Sequence, residues 1–259
     1  MECERLIETI STRGAEIDAF VVPWDSEIFG FPVAQIERLV LTPGEDPAEA
    51  MSLLQAWMDR RGVHLASCRL DSRALSESML LEAHGFRFVE MIYSPVLAPI
   101  RPVGESDGDL VIEKAGLEDI EPIETIAGTA FATGRYKLDW RIDAAASDKR
   151  YRVWVRNSFA DERQQVLRAT LCGEIAGFFI VEERDDGSVY WHLTAVAPAF
   201  QGRGIGRRLW SAMVRRHAEA GLNSIRTTIS AHNAPVMNIY AALGFRSGSP
   251  RMTLHWVRE

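Results

Sequence analysis

Gln201-Gly202-Arg203-Gly204-Ile205-Gly206 is the segment of this chain best suited to chemistry. Its glycines follow a predicted strand and open a predicted helix. Glycine lets a backbone approach a ligand closely and take up positive φ. A helix N-terminus adds unpaired N–H groups and the positive end of a dipole, which together hold a phosphate or pyrophosphate. Arg203, Arg207 and Arg208 bring further positive charge. Arginine stands where a dinucleotide fingerprint needs its third glycine, and no Gly-Lys-Ser/Thr follows as in a P-loop. The plain alternative is a glycine-rich turn between strand and helix.

A second group of polar residues lies nearby in the chain. Asn233 and Tyr240 are seven residues apart, two helical turns, so they share a helix face. Asn233 also suits the N-cap of that helix, and Tyr240 suits its core face. His192 lies on the strand ahead of the glycines, and its reference pKa of about 6.5 fits proton abstraction. It equally fits a packed strand histidine. Glu182 and Glu183 end the strand before it. Trp140, Trp154 and Trp191 are candidates for core or for an acceptor pocket.

The elements that must position these residues alternate through the C-terminal half. Strands are predicted at 110–115, 165–171, 174–183, 188–196, 224–230 and 252–256. Helices are predicted at 118–131, around 144–159, from the glycines to Ala220, and at 234–243. The stretch 134–140 reads as a loop, and Asp185-Asp186-Gly187 as a hairpin turn. The fold class is α+β, with a mostly antiparallel central sheet that turns parallel late. Prolines, glycines and acids across 95–109 mark a linker, giving an N-terminal domain over 1–100 and a catalytic domain over 108–259. Residues 68–88 and 227–247 share a strand, a polar turn, a short helix and Gly-Phe-Arg. Either the two halves are related copies or this is a common packing unit. Ala74 and Leu81 stand where Asn233 and Tyr240 do, so the N-terminal copy lacks the polar pair.

Composition narrows the function classes. The 259 residues are 47% hydrophobic and 25% charged, ordinary for a globular chain. The net charge of −7 argues against nucleic-acid partners. Three separated cysteines, Cys3, Cys68 and Cys172, form no disulfide framework and fit a reducing, cytoplasmic setting. No zinc-like spacing joins the six histidines, so no metal is expected. No apolar run reaches the roughly 20 residues of a membrane span.

The segment LTAVAPAFQGRGIGRRLW resembles the acetyl-CoA motif of the GCN5-related N-acetyltransferases through Val196, Pro198, Gln201, Gly204 and Gly206. NAPVMNIYAALGF resembles the family's later element through Asn233, Tyr240, Gly244 and Phe245, and the resemblance spans about 110–258. It implies acetyl-CoA as co-substrate, held by Ala195, Val196, Gln201, Gly202, Arg203, Gly204, Ile205, Gly206, Arg207, Asn233 and Tyr240. It also implies a strand 189–196 splayed by a bulge, a backbone N–H near Val196 that polarises the thioester, and Tyr240 as the acid for the departing thiolate. His192 is the candidate base. The segments PWDSEIFGFPVAQIERL and RYRVWVRNSF further resemble bacterial TDP-fucosamine acetyltransferases, which implies an amino sugar on a nucleotide carrier and an N-terminal domain that is a degenerate half-copy. Trp24 and Glu27 are the substrate-binding candidates there, against a core role for Trp24. The expected partner is a small-molecule amine, with a homodimer as the assembly to test. A CoA-binding sensor and transfer to a protein N-terminus are the rival readings.

Overall fold

A computed structural model describes residues 6–101 and 108–258; Cys3 and residues 102–107 of the 95–109 linker lie outside them. The elements are β1 (Glu8–Ser11), β2 (Ala15–Val21), α1 (Pro23–Phe29), β3 (Val33–Leu41), α2 (Ala48–Arg60), β4 (Leu65–Asp71), α3 (Leu75–Ala83), β5 (Arg87–Tyr93) and β6 (Val96–Leu97). After them come β7 (Leu110–Lys114), α4 (Ile120–Ala130), α5 (Arg135–Leu138), α6 (Ala144–Ala160), β8 (Gln165–Leu171), β9 (Glu174–Glu183) and β10 (Ser188–Val196). The chain ends with α7 (Ile205–Glu219), β11 (Ser224–Thr227), β12 (Ile229–Ser230), α8 (Ala234–Ala242) and β13 (Arg251–Val257). Among the described residues no helix is long and apolar enough to cross a membrane.

The chain forms two compact units. The first holds residues up to Ile92, Leu138–Ala146 and Ser249–Glu259; the second holds Tyr93–Lys137 and Ser147–Gly248. In the first, β1, β2 and β3 form an antiparallel meander, and β3 then pairs in parallel with β4. β13 lies antiparallel between β4 and β5. In the second, β7 to β10 form the meander, β10 pairs in parallel with β11, and β6 lies antiparallel on the far edge of β11. The sequence reading left the final strand with the 108–259 half; the structure seats it in the first unit. β6, from the end of the 1–100 half, closes the second.

Alternation along the strands builds the first core. Ile17, Ile36, Cys68 and Leu254 point to one face, where Met51, Leu54 and Met58 of α2 cover them at helical spacing. The second sheet is covered on both faces, so β9 is buried without interruption from Ala176 to Val181. Phe179, Val181 and Trp191 face α7 and α8. Phe178, Ile180 and Leu193 face the other side, with Ile123 of α4 and Val155 of α6.

The two halves end their short helices identically. The N–H of Phe86 donates to Leu81 O at 3.0 Å, and that of Phe245 donates to Tyr240 O at 2.9 Å. Gly85 and Gly244 supply the left-handed residue that this termination needs, at φ 88° and 87°. Leu81 and Tyr240 are both buried. Two sequence expectations are corrected. The 134–140 loop contains the helical turn α5, and the strand predicted at 224–230 breaks at Thr228 into β11 and β12.

Two measurements check this packing. Leu254 is fully buried between β4 and β5, so Leu254→Ala is expected to cost about 2–5 kcal/mol, read as a lower urea midpoint. In the second core, Trp191 Nε1 donates to His217 Nε2 at 3.0 Å. Burial, aided by the Arg216 charge, pushes the His217 pKa down from 6.5 to about 4. The unfolded chain therefore takes up a proton before the folded one does. Stability is full above about pH 6.5 and falls by roughly 3 kcal/mol as the pH drops toward about 4. His217→Gln, which can accept the same hydrogen bond without titrating, is expected to lose that part of the slope.

Candidate functional site

The site grows from an irregularity in β10. Against β9, Trp191 pairs with Val181 but Leu193 pairs with Ile180, so His192 is an extra residue. Side chains alternate with period two, so one inserted residue exchanges the faces of everything after it. Val189 and Trp191 belong to the core under α7 and α8, whereas Leu193 and Ala195 belong to the core under α4 and α6. Thr194 and Val196 are thereby turned toward α7 and α8.

β11 leaves β10 at the same point. Their parallel pairing runs from Ser188↔Ser224 only to Trp191↔Thr227. The Thr227 hydroxyl donates to Trp191 O at 3.0 Å and holds the fork. Beyond it, the edge of β10 away from β9 faces a gap. Ala197 N donates to Ala176 O at 2.8 Å, which makes Val196 and Gly177 a non-hydrogen-bonded pair. The backbone N–H and C=O of Val196, and of Thr194 two residues earlier, therefore point into the gap, while those of Ala195 point to β9. Gln201 Nε2 donates to Val196 O at 3.0 Å and braces the loop that follows. Gly177 is required opposite: a Cβ there would lie 2.5 Å from Ala195 O.

The loop delivers the chain to the N-terminus of α7. Gly204 is its N-cap, at φ 74°, and no side chain caps the first-turn N–H groups. Arg207 and Arg208 stand in that first turn, which contains no acid. Cations at the positive end of a helix are unfavourable by some tenths of a kcal/mol each unless an anion joins them. At Gly206 a Cβ would meet Ile239 Cδ1 at 3.2 Å, so glycine lets the first turn of α7 lie close against the Ile239 side chain of α8. The geometry fits a pyrophosphate on uncapped amides with arginine charge around it.

Tyr240 is buried on the α7–α8 side of the sheet. Burial raises its phenol pKa, and the neighbouring polar groups of Trp210, Thr227 and Thr194 oppose that rise. The net effect keeps the hydroxyl protonated. His192 is on the opposite side: its Nε2 lies 2.8 Å from Glu182 Oε2, and Tyr190 packs edge-on at 4.8 Å. The gap between β10 and β11 joins the two faces.

The structure thus gathers Val196, Gln201, Gly202, Arg203, Gly204, Ile205, Gly206 and Arg207 along one strand edge and helix end, with Tyr240 on the adjoining face. Asn233 is the N-cap of α8, its Oδ1 accepting from Val236 N at 3.3 Å. Trp24 and Glu27 are on α1 in the first unit, both exposed at the surface. Trp191 is core, Trp154 packs against the α4–α6 core, and Trp140 is exposed in the first unit. Thr194 and Thr227 were invisible to the sequence reading, because counting alternation along β10 without its bulge assigns Thr194 to the wrong face.

Residues 131–245 match the acetyltransferase (GNAT) family. The chain is 25% identical over 127 residues to the spore coat polysaccharide biosynthesis protein SpsD of Bacillus subtilis (strain 168), covering 49% of this chain and 44% of that protein. It is 30% identical over 125 residues to the L-2,4-diaminobutyric acid acetyltransferase of Nocardia farcinica (strain IFM 10152), covering 47% of this chain and 62% of the relative. The chain therefore spans about half the length of these curated relatives. Its fold matches the crystal structure of a GCN5-related N-acetyltransferase from Sphaerobacter thermophilus with a TM-score of 0.66 at 14% identity, over 95% of this chain and 81% of the other. That likeness is one of fold, and it extends through both units. The sheet forked at Trp191 and the uncapped helix after the glycine loop both lie within residues 131–245, the stretch of this chain that is similar to the acetyltransferase (GNAT) family.

Proposed function

We propose that this chain is an acetyl-CoA-dependent N-acetyltransferase acting on a primary amine. The observation that carries the reading is the gap between β10 and β11, which opens beside an uncapped helix end on one side and a buried, protonated tyrosine on the other. Acetyl-CoA supplies a thioester-activated acetyl group. The amides at the start of α7, with Arg203 and Arg207, hold its pyrophosphate. The gap-facing N–H groups of Thr194 and Val196 pair with the pantetheine arm or the thioester oxygen, in the manner of an oxyanion hole. Tyr240, protonated because it is buried, donates to the departing thiolate. His192, oriented by Glu182, takes the proton of the ammonium on the other face.

The acceptor we propose is an amino sugar on a nucleotide carrier. Support comes from the resemblance at 23–39 and 150–159 and from the polysaccharide-related name of SpsD. The first unit is read as a degenerate copy that does not bind CoA at the equivalent place: the order of its paired strands parallels the second unit, yet Leu81 stands for Tyr240 and Ala74 for Asn233. Trp24 and Glu27 are its proposed acceptor contacts.

Three outcomes are expected. Gly204→Glu places a side chain and a negative charge at the α7 N-cap and should abolish acetyl-CoA binding by calorimetry in a folded protein. Unchanged affinity would overturn the assignment of the cofactor site. Tyr240→Phe keeps the ring and should lower kcat on the order of 10²–10⁴-fold with little change in CoA affinity. Acetyl-CoA consumption against a panel of amines, nucleotide-linked amino sugars included, tests the whole reading: CoA binding without turnover on any amine contradicts it.

A further inference from the structure

We infer that the first unit contains a binding cleft for a nucleoside phosphate, built by the bulge in β5, the Asp139–Arg141 turn and the end of β13. The cleft measures about 950 Å³, and its walls include Phe88, Trp140 and Trp256 together with Arg87, Arg141 and Arg258. That volume is in the range of small-molecule sites. All of these residues belong to the first unit. The inference is independent of acetyl transfer in the second.

Its shape comes from a second register slip. Against β13, Thr253 pairs with Glu90 but Leu254 pairs with Phe88, so β5 carries Val89 as an extra residue. The bulge breaks the in–out alternation and leaves both Arg87 and Phe88 exposed, the ring at 48%. Trp140 is exposed at 90%, the highest of the large apolar residues described. Phe88 and Trp140 thus bring two exposed aromatic rings to the wall of one concavity.

Trp140 is not on a loose tether. The residue before it, Asp139, is buried and accepts from Arg141 Nε and Nη2 at 2.9 and 2.8 Å, and lies 3.1 Å from His255 Nδ1. Arg141 also donates to His255 O at 3.2 Å. These hydrogen bonds outweigh burial and hold the Asp139 carboxyl well below the usual carboxylate range, so it stays charged. Both neighbours of Trp140 are thus anchored, and the indole is presented by a fixed turn. On the opposite wall, a Cβ at Gly85 would lie 3.3 Å from Trp256 Cδ1, so glycine lets that ring seat against the backbone.

The charge in the cleft points to an anion. Arg141 is compensated by Asp139, and Arg258 by Asp59. Arg87 donates from Nη1 to the carbonyl oxygens of Glu82 and Phe86, both at 3.1 Å, and these carry no net charge to cancel its own. An acidic chain therefore presents a net cationic pocket walled by aromatic rings. Flat rings stack on Trp and Phe, and guanidinium groups take phosphate oxygens. A nucleoside phosphate combines both features.

The test is calorimetry on the full chain, without acetyl-CoA, using UDP and ADP as probes beside uridine and inorganic pyrophosphate. Binding of at least one nucleotide is expected, tighter than either fragment. It should weaken tenfold or more in Arg87→Gln and in Trp140→Ala, recover in Arg87→Lys, and persist in Gly204→Glu. Both cleft positions are exposed, and unchanged melting of the variants verifies their folding. Three results overturn the proposal: no binding of either nucleotide, binding that survives both cleft substitutions, or binding lost in Gly204→Glu alone.

Discussion

One extra residue in one strand organises the second unit. A β-strand permits only two side-chain directions, so the bulge at His192 sends every later side chain of β10 to the other face. Without it, Leu193 would point with Trp191, and Thr194 would point away from Tyr240. With it, one strand supplies a core residue to α7 and α8 at Trp191 and to α4 and α6 at Leu193. The parallel pairing with β11 stops where the bulge begins. The gap-facing amides, the buried tyrosine and the Glu182–His192 pair all owe their relation to that point.

Electrostatics around the gap are divided by strand face. The glycine loop leaves the first amides of α7 uncapped and puts arginines beside them, an arrangement that an anion relieves. Burial drives two titratable groups toward their neutral forms, Tyr240 upward and His217 downward. The interior on the α7–α8 side is thus free of net charge from these two groups. Glu182 and His192 form a partly buried pair on the other side. A reaction that needs a proton donor at one end and an acceptor at the other is served by that separation.

The two units are tied by chain path. β13 closes the sheet of the first unit although it is the last strand of the chain, and β6 closes the second although it follows the first unit's strands. Each exchanged strand covers a backbone edge that would otherwise stay open. A cut after β6 within the 95–109 linker would therefore separate β13 from β4 and β5, and β6 from β11.

By itself the sequence determined most of the elements and the glycine-rich junction that opens α7. Period-two and helical apolar patterns located nearly every strand and helix of the second half, and the glycine cluster at a strand–helix junction identified the α7 N-terminus, because these signals are local. Gly85-Phe86 and Gly244-Phe245 were legible for the same reason, each helix end being written within a few residues. Only the tertiary structure decided which strand lies beside which. β13 reads like any last strand of its half, and its place between β4 and β5 depends on edges formed about 160 to 190 residues earlier in the chain. The bulge at Val89 was hidden, and that in strand 189–196 was expected only from the family resemblance and without its position, since both segments are good strand formers and the extra residue exists only relative to a partner's register. For that reason the sequence named Tyr240 and His192 but not the faces they occupy, and it gave no sign that Trp140 would stand exposed over a cleft in the first unit.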